Sequence, residues 1–205
     1  MVEARRARTA PNTTSRITGD EWADFDATGL EHSEVAFYDV DLCEATLSTS
    51  TFTGCTFSMT RFNCAALTDV AFVNCSFSGC SFFETVFTRC KLVGSSFERC
   101  TFNLTEVVEG DWSFVGLAGA DLANASFTGT RMREADLTNA KCAGGVFRDV
   151  DLSGASLHHA DLSRCDLRGS DLSTIDPLTV ELKQAIITPD QAVTVAMALG
   201  LDVRD

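Results

Sequence analysis

The sequence repeats with a period of five, and that period rules out any single regular element as its carrier. Stepping by five from Phe37 through Leu42, Leu47, Phe52 and Phe57 to Leu167 and Leu172, all 28 positions are apolar. Two residues before each stands a small side chain, from Val35, Val40 and Ala45 to Cys165 and Ser170, always Ala, Cys, Ser, Thr, Val or Gly. A helix returns a side chain to the same face about every 3.6 residues and a strand every second one. Neither can put both columns inside, so the chain has to turn every five residues. Each five-residue segment then forms one side of a coil, with its central and small residues inward and the other three facing water. Those three are mostly Thr, Ser, Asp, Asn, Gly, Glu and Arg.

Segments such as Ala120-Asp-Leu-Ala-Asn124, Ala135-Asp-Leu-Thr-Asn139, Ala160-Asp-Leu-Ser-Arg164 and Cys75-Ser-Phe-Ser-Gly79 resemble pentapeptide repeats. The resemblance implies an all-β solenoid: a right-handed, quadrilateral parallel β-helix with four segments per coil, carrying here a short C-terminal α-helix. Twenty-eight segments make seven coils, a rod of roughly 34 Å at an inter-strand spacing of about 4.8 Å. A core this narrow leaves part of the stability to backbone ladders between coils and to covered ends. The expected organisation is a basic arm over 1–20, an N-terminal cap over 21–34, the repeat over 35–176, and a capping and dimerisation segment over 177–205.

Both ends carry signals of their own. Arg5, Arg6, Arg8 and Arg16 give the first twenty residues a basic, aperiodic character, read as a flexible arm. Residues 20–44 then hold nine acids and no Lys or Arg, with Trp22 and Phe25 available to cover the first coil. At the other end Pro177 falls on a central position, where its missing amide is expected to end the repeat. Thr188-Pro-Asp-Gln191 reads as a capping box with proline at the first helical position. A helix over about 189–199 should follow, stopped by Gly200. Ala192, Val193, Val195, Ala196, Met197 and Leu199 make it apolar around most of its circumference, more than a helix with one buried face requires. These six are the candidate dimer contact.

The stretch Ile187-Thr-Pro-Asp-Gln-Ala-Val-Thr-Val-Ala-Met-Ala-Leu-Gly-Leu201 resembles the C-terminal segment of the Qnr and MfpA group of topoisomerase-targeting proteins. Cys90-Lys-Leu-Val-Gly-Ser-Ser-Phe97, Asn103-Leu-Thr-Glu and Trp112-Ser-Phe-Val-Gly116 are similar to their middle portion. The resemblance implies a homodimer joined at the C-terminal ends, DNA-like in shape and charge, that acts on DNA gyrase and confers quinolone resistance, with topoisomerase IV as a second candidate target. The unbroken phase looks closer to the loop-free, MfpA-like type.

Charge fits that expectation in part. Sixteen basic against 29 acidic residues give a net charge of −13, which argues against direct nucleic-acid binding, since that draws on clustered cations. Residues 46–105 are close to neutral, with three acids and four bases, whereas 106–183 hold thirteen acids and seven bases. Asp111, Asp151 and Asp171 share one phase of a twenty-residue coil and Asp121 and Asp161 share another, expected to form stripes on two adjacent faces. With Glu106, Glu109, Asp136 and Asp166 they are the candidate partner-binding residues. Acids that merely keep a solenoid soluble are the plainer explanation.

Catalysis has little support. His32, His158 and His159 are the only histidines, and none has a matched nucleophile and orienting acid. No phosphate loop, dinucleotide fingerprint or zinc spacing is present, so no metal and no cofactor is expected. Six of the nine cysteines (Cys55, Cys75, Cys80, Cys90, Cys100 and Cys165) fall in the small inward column and Cys142 on a central position. They are read as buried reduced thiols, although Cys55 with Cys75, and Cys80 with Cys100, stack at a separation a disulfide tolerates. The longest apolar run, Ala192 to Leu201, is too short to span a bilayer, and the first twenty residues lack the apolar core of a secretory signal. A cytoplasmic protein without membrane partners is expected. Two functions remain: a decoy for gyrase, or a scaffold whose flat faces bind an unrelated protein. Phe83, Leu104 and Phe114, on outward positions, could anchor such a partner or tuck against neighbouring coils.

Overall fold

The computed structural model describes residues 10–19 and 26–204. The basic residues Arg5, Arg6 and Arg8 and the covering residues Trp22 and Phe25 lie outside the described residues. The chain winds as a four-sided parallel β-solenoid in which every residue sits beside the one twenty positions later. The first side stacks Ser15–Thr18, Val35–Tyr38, Thr56–Ser58, Ser76–Ser78 and Ser96–Glu98, with Phe37 registered on Phe57. The second is held by single bridges, Asp41 to Arg61 to Ser81 to Thr101 and on to Glu181. The third is a seven-stranded sheet from Asp26–Thr28 to Val146–Arg148. The fourth begins as Glu31–Ser33, Thr51–Thr53 and Ala71–Val73 and continues as bridges from Lys91 to Asp151.

The corner between sides is made by the residue two beyond each central one. Glu34, Asp39, Glu44, Asn74, Asn124 and Asn139 all sit there at φ between 52° and 63°, a left-handed conformation that costs an ordinary residue about 1–2 kcal/mol. Each corner points the next segment along a new side, so the five-residue period is a turn period. Inside, the central aromatics stack along the axis: Phe37, Phe57, Phe77 and Phe97 follow one another at 4.7, 4.9 and 4.7 Å between centroids. All 28 central residues are buried, and they form one continuous core.

The coil is longer than the repeat predicted. Ser15–Thr18 pairs with Val35–Tyr38, and Asp26–Thr28 and Glu31–Ser33 pair with the following coil. Described residues assigned to the arm and cap therefore build three sides of a further coil, with Ile17, Ala27 and His32 on the central phase. His32 stacks on Phe52 at 5.4 Å, and burial lowers its pKa. At the other end Pro177 does not end the repeat. Leu162 donates to Glu181 and Leu167 to Ile186, so Leu182 and Ile187 complete the phase. The reason lies in the direction of the ladder. A central amide donates forward, as Leu42 does to Arg61 and Phe62 to Ser81, and the last coil has no successor to receive it. A proline there forfeits nothing.

Cys55, Cys75, Cys80, Cys90, Cys142 and Cys165 are buried in the core as free thiols, Cys43 and Cys100 are half-buried, and Cys64 is exposed. The Cys75 thiol donates to the Phe52 carbonyl at 3.3 Å and that of Cys80 to Phe57 at 3.3 Å. Burial pushes Cys90 up to about 11 and Cys165 up to about 12, so both stay protonated and unreactive. No helix among the described residues is long and apolar enough to cross a membrane.

Candidate partner-binding surface

Every outward side chain belongs to a column that repeats each twenty residues, so the candidate acids are placed by the coil. Asp111, Asp151 and Asp171 lie on the fourth side and Asp121 and Asp161 on the second. Ten residues is half a coil, so these stripes are on opposite sides of the rod, a correction to the adjacent faces expected. Asp136 is on the first side, and Glu106 and Asp166 are on the third. Glu109 is at a corner, at φ 60°. No single face gathers all nine.

The columns are not uniformly acidic either. On the fourth side the order is Lys91, Asp111, Arg131, Asp151. Arg131 pairs with Asp111 at 3.1 Å, and Arg133 Nε reaches Asp151 at 2.5 Å. On the third side Arg148 and Arg168 both hold Asp166, at 2.7 and 2.8 Å. Asp111, Asp151 and Asp166 are thus braces within the rod. For Glu106, Glu109, Asp121, Asp136, Asp161 and Asp171 no salt bridge is found among the described residues. Four of these six make a local turn instead, each carboxylate accepting the amide two residues on, as Asp121 from Ala123 at 3.2 Å and Asp171 from Ser173 at 2.9 Å.

Titration follows those contacts. Burial pushes Asp111 up but is outweighed by hydrogen bonds from Ser113 and Arg131, leaving its pKa below the ordinary value. Asp151 is lowered in the same way, against its burial, by Ser153 and Arg133. Asp161 is lowered by the Ser163 hydroxyl and amide. These carboxylates are charged at neutral pH.

Like charges also follow one another, Arg148 and Arg168 on the third side with Asp166 held between them, and acids on two further sides. On the second side Asp121, Lys141 and Asp161 alternate, and then Glu181 stacks directly on Asp161. On the fourth side Asp171, whose amide donates to Val150, follows Asp151. Acid lies on acid on two opposite sides, in the coils next to the C-terminal end.

That end is closed by the helix Pro189–Ala198. Its capping box is formed as the sequence reads: Gln191 N donates to Thr188 Oγ1, and Thr188 N to Gln191 Oε1. Gly200 at φ 81° and the bonds Gly200 to Met197 and Leu201 to Ala196 make the stop, a Schellman arrangement. Gln191 is the helix's one buried residue, and its amide donates to the Leu167 and Ser170 carbonyls at 2.7 Å each. Of the six candidate dimer residues, Val195 and Ala196 are half-buried against the rod, while Ala192, Val193, Met197 and Leu199 are exposed. Leu178, Leu201 and Val203 in the same C-terminal segment are exposed as well, and exposed apolar surface of this kind, where contiguous, marks association. The sequence reading missed Leu178, Leu201 and Val203 and the fastening by Gln191, whose only signal was the box itself.

Elsewhere Phe83, Leu104 and Phe114 are solvent-exposed, as their outward positions predict. Phe83 is on the second side, and Leu104 is at the corner one coil on.

The family model for pentapeptide repeats matches residues 65–103, 117–154 and 135–173, with eight copies. No curated protein matches the chain in sequence. Among solved structures, full-length QnrB1, a plasmid-mediated fluoroquinolone resistance protein, is similar at 20% identity, covering 93% of this chain and 99% of that one, with a TM-score of 0.49. HetL, a pentapeptide repeat protein involved in heterocyst differentiation regulation from Nostoc sp. strain PCC 7120, is similar at 22% identity over 86% of this chain and 85% of that one, TM-score 0.42. A pentapeptide repeat protein from the Arabidopsis thaliana thylakoid lumen is similar at 18% identity over 77% and 75%, TM-score 0.26. The family match lies inside a four-sided coil whose described residues keep the five-residue phase from Asp26 to Ile187, and over the matched residues the chain carries pentapeptide repeats.

Proposed function

We propose that this protein is a non-enzymatic decoy that pairs through its C-terminal end and occupies the DNA-binding surface of DNA gyrase, with topoisomerase IV as a second candidate target. The observation that supports it most is the succession of acid on acid, Glu181 bridged to Asp161 and Asp171 following Asp151 through its amide bond to Val150, beside exposed apolar residues of the C-terminal end. Pairing two rods at that end gathers these carboxylates at the centre of a double-length rod. Duplex DNA carries a charge about every 1.7 Å of axis, whereas residues 37–176 hold 18 acids against 10 bases. The mimicry is therefore local, centred on the junction. The resemblance of Ile187–Leu201 to the Qnr and MfpA group names the partner.

The test is a supercoiling assay with purified gyrase, titrating the protein with and without a fluoroquinolone. Inhibition without drug, falling steeply as salt rises because the attraction is screened, is the expected result. Restored supercoiling in the presence of drug makes the protein a resistance factor. The absence of both inhibition without drug and restored supercoiling with it sinks the proposal. The second reading is a scaffold solenoid, which the exposed Phe83 and Leu104 favour. Under it, Phe83→Ala lowers partner binding and charge substitutions near the C-terminal end do not.

A further inference from the structure

At the opposite end of the rod lies a groove with the reverse chemistry. It lies on the first side, has a volume of about 570 Å³, and is lined by residues that include Thr13, Ser15, Arg16, Tyr38, Thr56 and Ser58. That is within the size range of small-molecule sites, about 300–1,000 Å³. No acidic residue contributes to its lining, in a chain with 29 acids. Eight of the ten described arginines pair with a carboxylate, and Arg16 is not among them. Its guanidinium is held in place by two contacts: Nε donates to Thr18 Oγ1 at 2.9 Å, and Cζ lies 4.8 Å from the Tyr38 ring centroid. Those contacts use one N–H and one face of a group with five donors. Its two terminal nitrogens have no hydrogen-bond partner among the described residues.

We propose that this groove binds a small phosphate ester, with the Arg16 guanidinium taking two phosphate oxygens and the neighbouring hydroxyls of Ser15, Thr56 and Ser58 donating to the rest. A pre-positioned planar guanidinium matches a phosphate bidentately, and hydroxyls add donors without competing charge. The volume exceeds that of the bare ion, so the ester's organic part fills the remainder against the Tyr38 ring and Ala36. Glu34 and Asp39 sit at the two corners flanking this side, and their charge opposes the binding of a bare anion.

The experiment is amide chemical-shift mapping on the full-length protein at constant ionic strength, titrating inorganic phosphate, free phosphoserine and, as a control, chloride. Shifts centred on Ser15–Thr18, Val35–Tyr38 and Thr56–Ser58, with phosphoserine binding more tightly than phosphate, are expected. Arg16→Gln should raise the dissociation constant at least tenfold. Tyr38→Ala, which frees the guanidinium, should raise it by a smaller factor, and Tyr38→Phe should leave it unchanged. Retained exchange protection of the amides pairing Ser15–Thr18 with Val35–Tyr38 shows that the variants keep the coil. Shifts centred instead on Arg148 and Arg168, a response no larger than that to chloride, or wild-type affinity in Arg16→Gln overturns the site. Phosphoserine binding no tighter than inorganic phosphate overturns the assignment of an ester.

Discussion

Gln191→Ala should open the C-terminal end of the rod while leaving its middle intact. Gln191 makes three bonds: its amide donates to Leu167 and Ser170 at 2.7 Å each, and its oxygen accepts from Thr188 N at 2.8 Å. A buried bond of this kind is worth about 1 kcal/mol net, and a lost cap about 0.5–2 kcal/mol. Together they predict a loss of about 2–4 kcal/mol. In a solenoid each coil touches only its neighbours, so that loss stays near the end and does not spread along the rod. The readout is native-state hydrogen exchange at Leu162, Arg164 and Leu167, whose amides donate to Glu181, Lys183 and Ile186. Their protection should fall by about thirtyfold to nearly a thousandfold, at tenfold per 1.4 kcal/mol, while Phe62 and Phe82 keep theirs. Gln191→Glu separates the two roles, because the carboxylate still accepts from Thr188 but cannot donate to the carbonyls. It should be at least as damaging. Wild-type protection of the last coil in either variant would refute the view that this side chain fastens the cap.

Two threonines on equivalent inward positions should respond with opposite sign. Thr105 donates to Phe82 O at 2.7 Å, whereas the buried Thr60 hydroxyl has no partner among the described residues. Thr60→Val should raise the urea midpoint by the equivalent of about 1 kcal/mol and Thr105→Val should lower it by about as much. Gly110→Ala should cost about 3–5 kcal/mol in the same assay, since φ is +91° and a Cβ would lie 2.2 Å from the Cys90 carbonyl oxygen. Gly119→Ala, with nothing within 4 Å, should cost about 1 kcal/mol. The Arg61 guanidinium, 2.7 Å from Asp41, pulls that carboxyl down to about 2. A lowered folded-state pKa stabilises above the unfolded value near 4 and loses that contribution as pH falls toward about 2. Both groups are partly exposed, so the advantage of wild type over Arg61→Met should be at most about 1 kcal/mol at neutral pH and vanish across that acid window. A difference that persists at low pH would contradict it.

The inward columns were legible because burial leaves so few choices: Phe37, Phe57, Phe77 and Phe97 stack at under 5 Å, and only apolar side chains survive there. The ends were less legible because they bend the rule. His32 is on the central phase and packed between Phe37 and Phe52, but a histidine does not advertise a core position. Pro177 reads as a terminator until the direction of the amide ladder shows that the last coil needs no forward donor. The surface was hardest. A column is a period of twenty, which the sequence displays, but whether Asp111 is a free charge or the brace of Arg131 depends on reach across coils. Assigning the stripes to adjacent faces failed on geometry alone, since ten residues is half a turn.

In-register stacking brings side chains of one column about 4.8 Å apart, where like charges repel by about 0.2–1 kcal/mol per pair. A sequence shaped for stability alone alternates them, as Lys91, Asp111, Arg131 and Asp151 do, and as Asp121, Lys141 and Asp161 do. Asp171 and Glu181 break that rule on two opposite sides beside the apolar end. Asp171→Lys and Glu181→Lys together restore alternation, and Lys183 and the helix remain untouched. The double variant should gain about 0.5–2 kcal/mol in a denaturant titration, while its inhibition of gyrase supercoiling should weaken at least tenfold. A variant that is more stable and equally inhibitory would mean that these acids contribute nothing to the partner contact. One that is less stable would mean that repulsion in these columns is already relieved by other groups. Stability gained where inhibition is lost is the signature of charges kept for a partner at the expense of the fold.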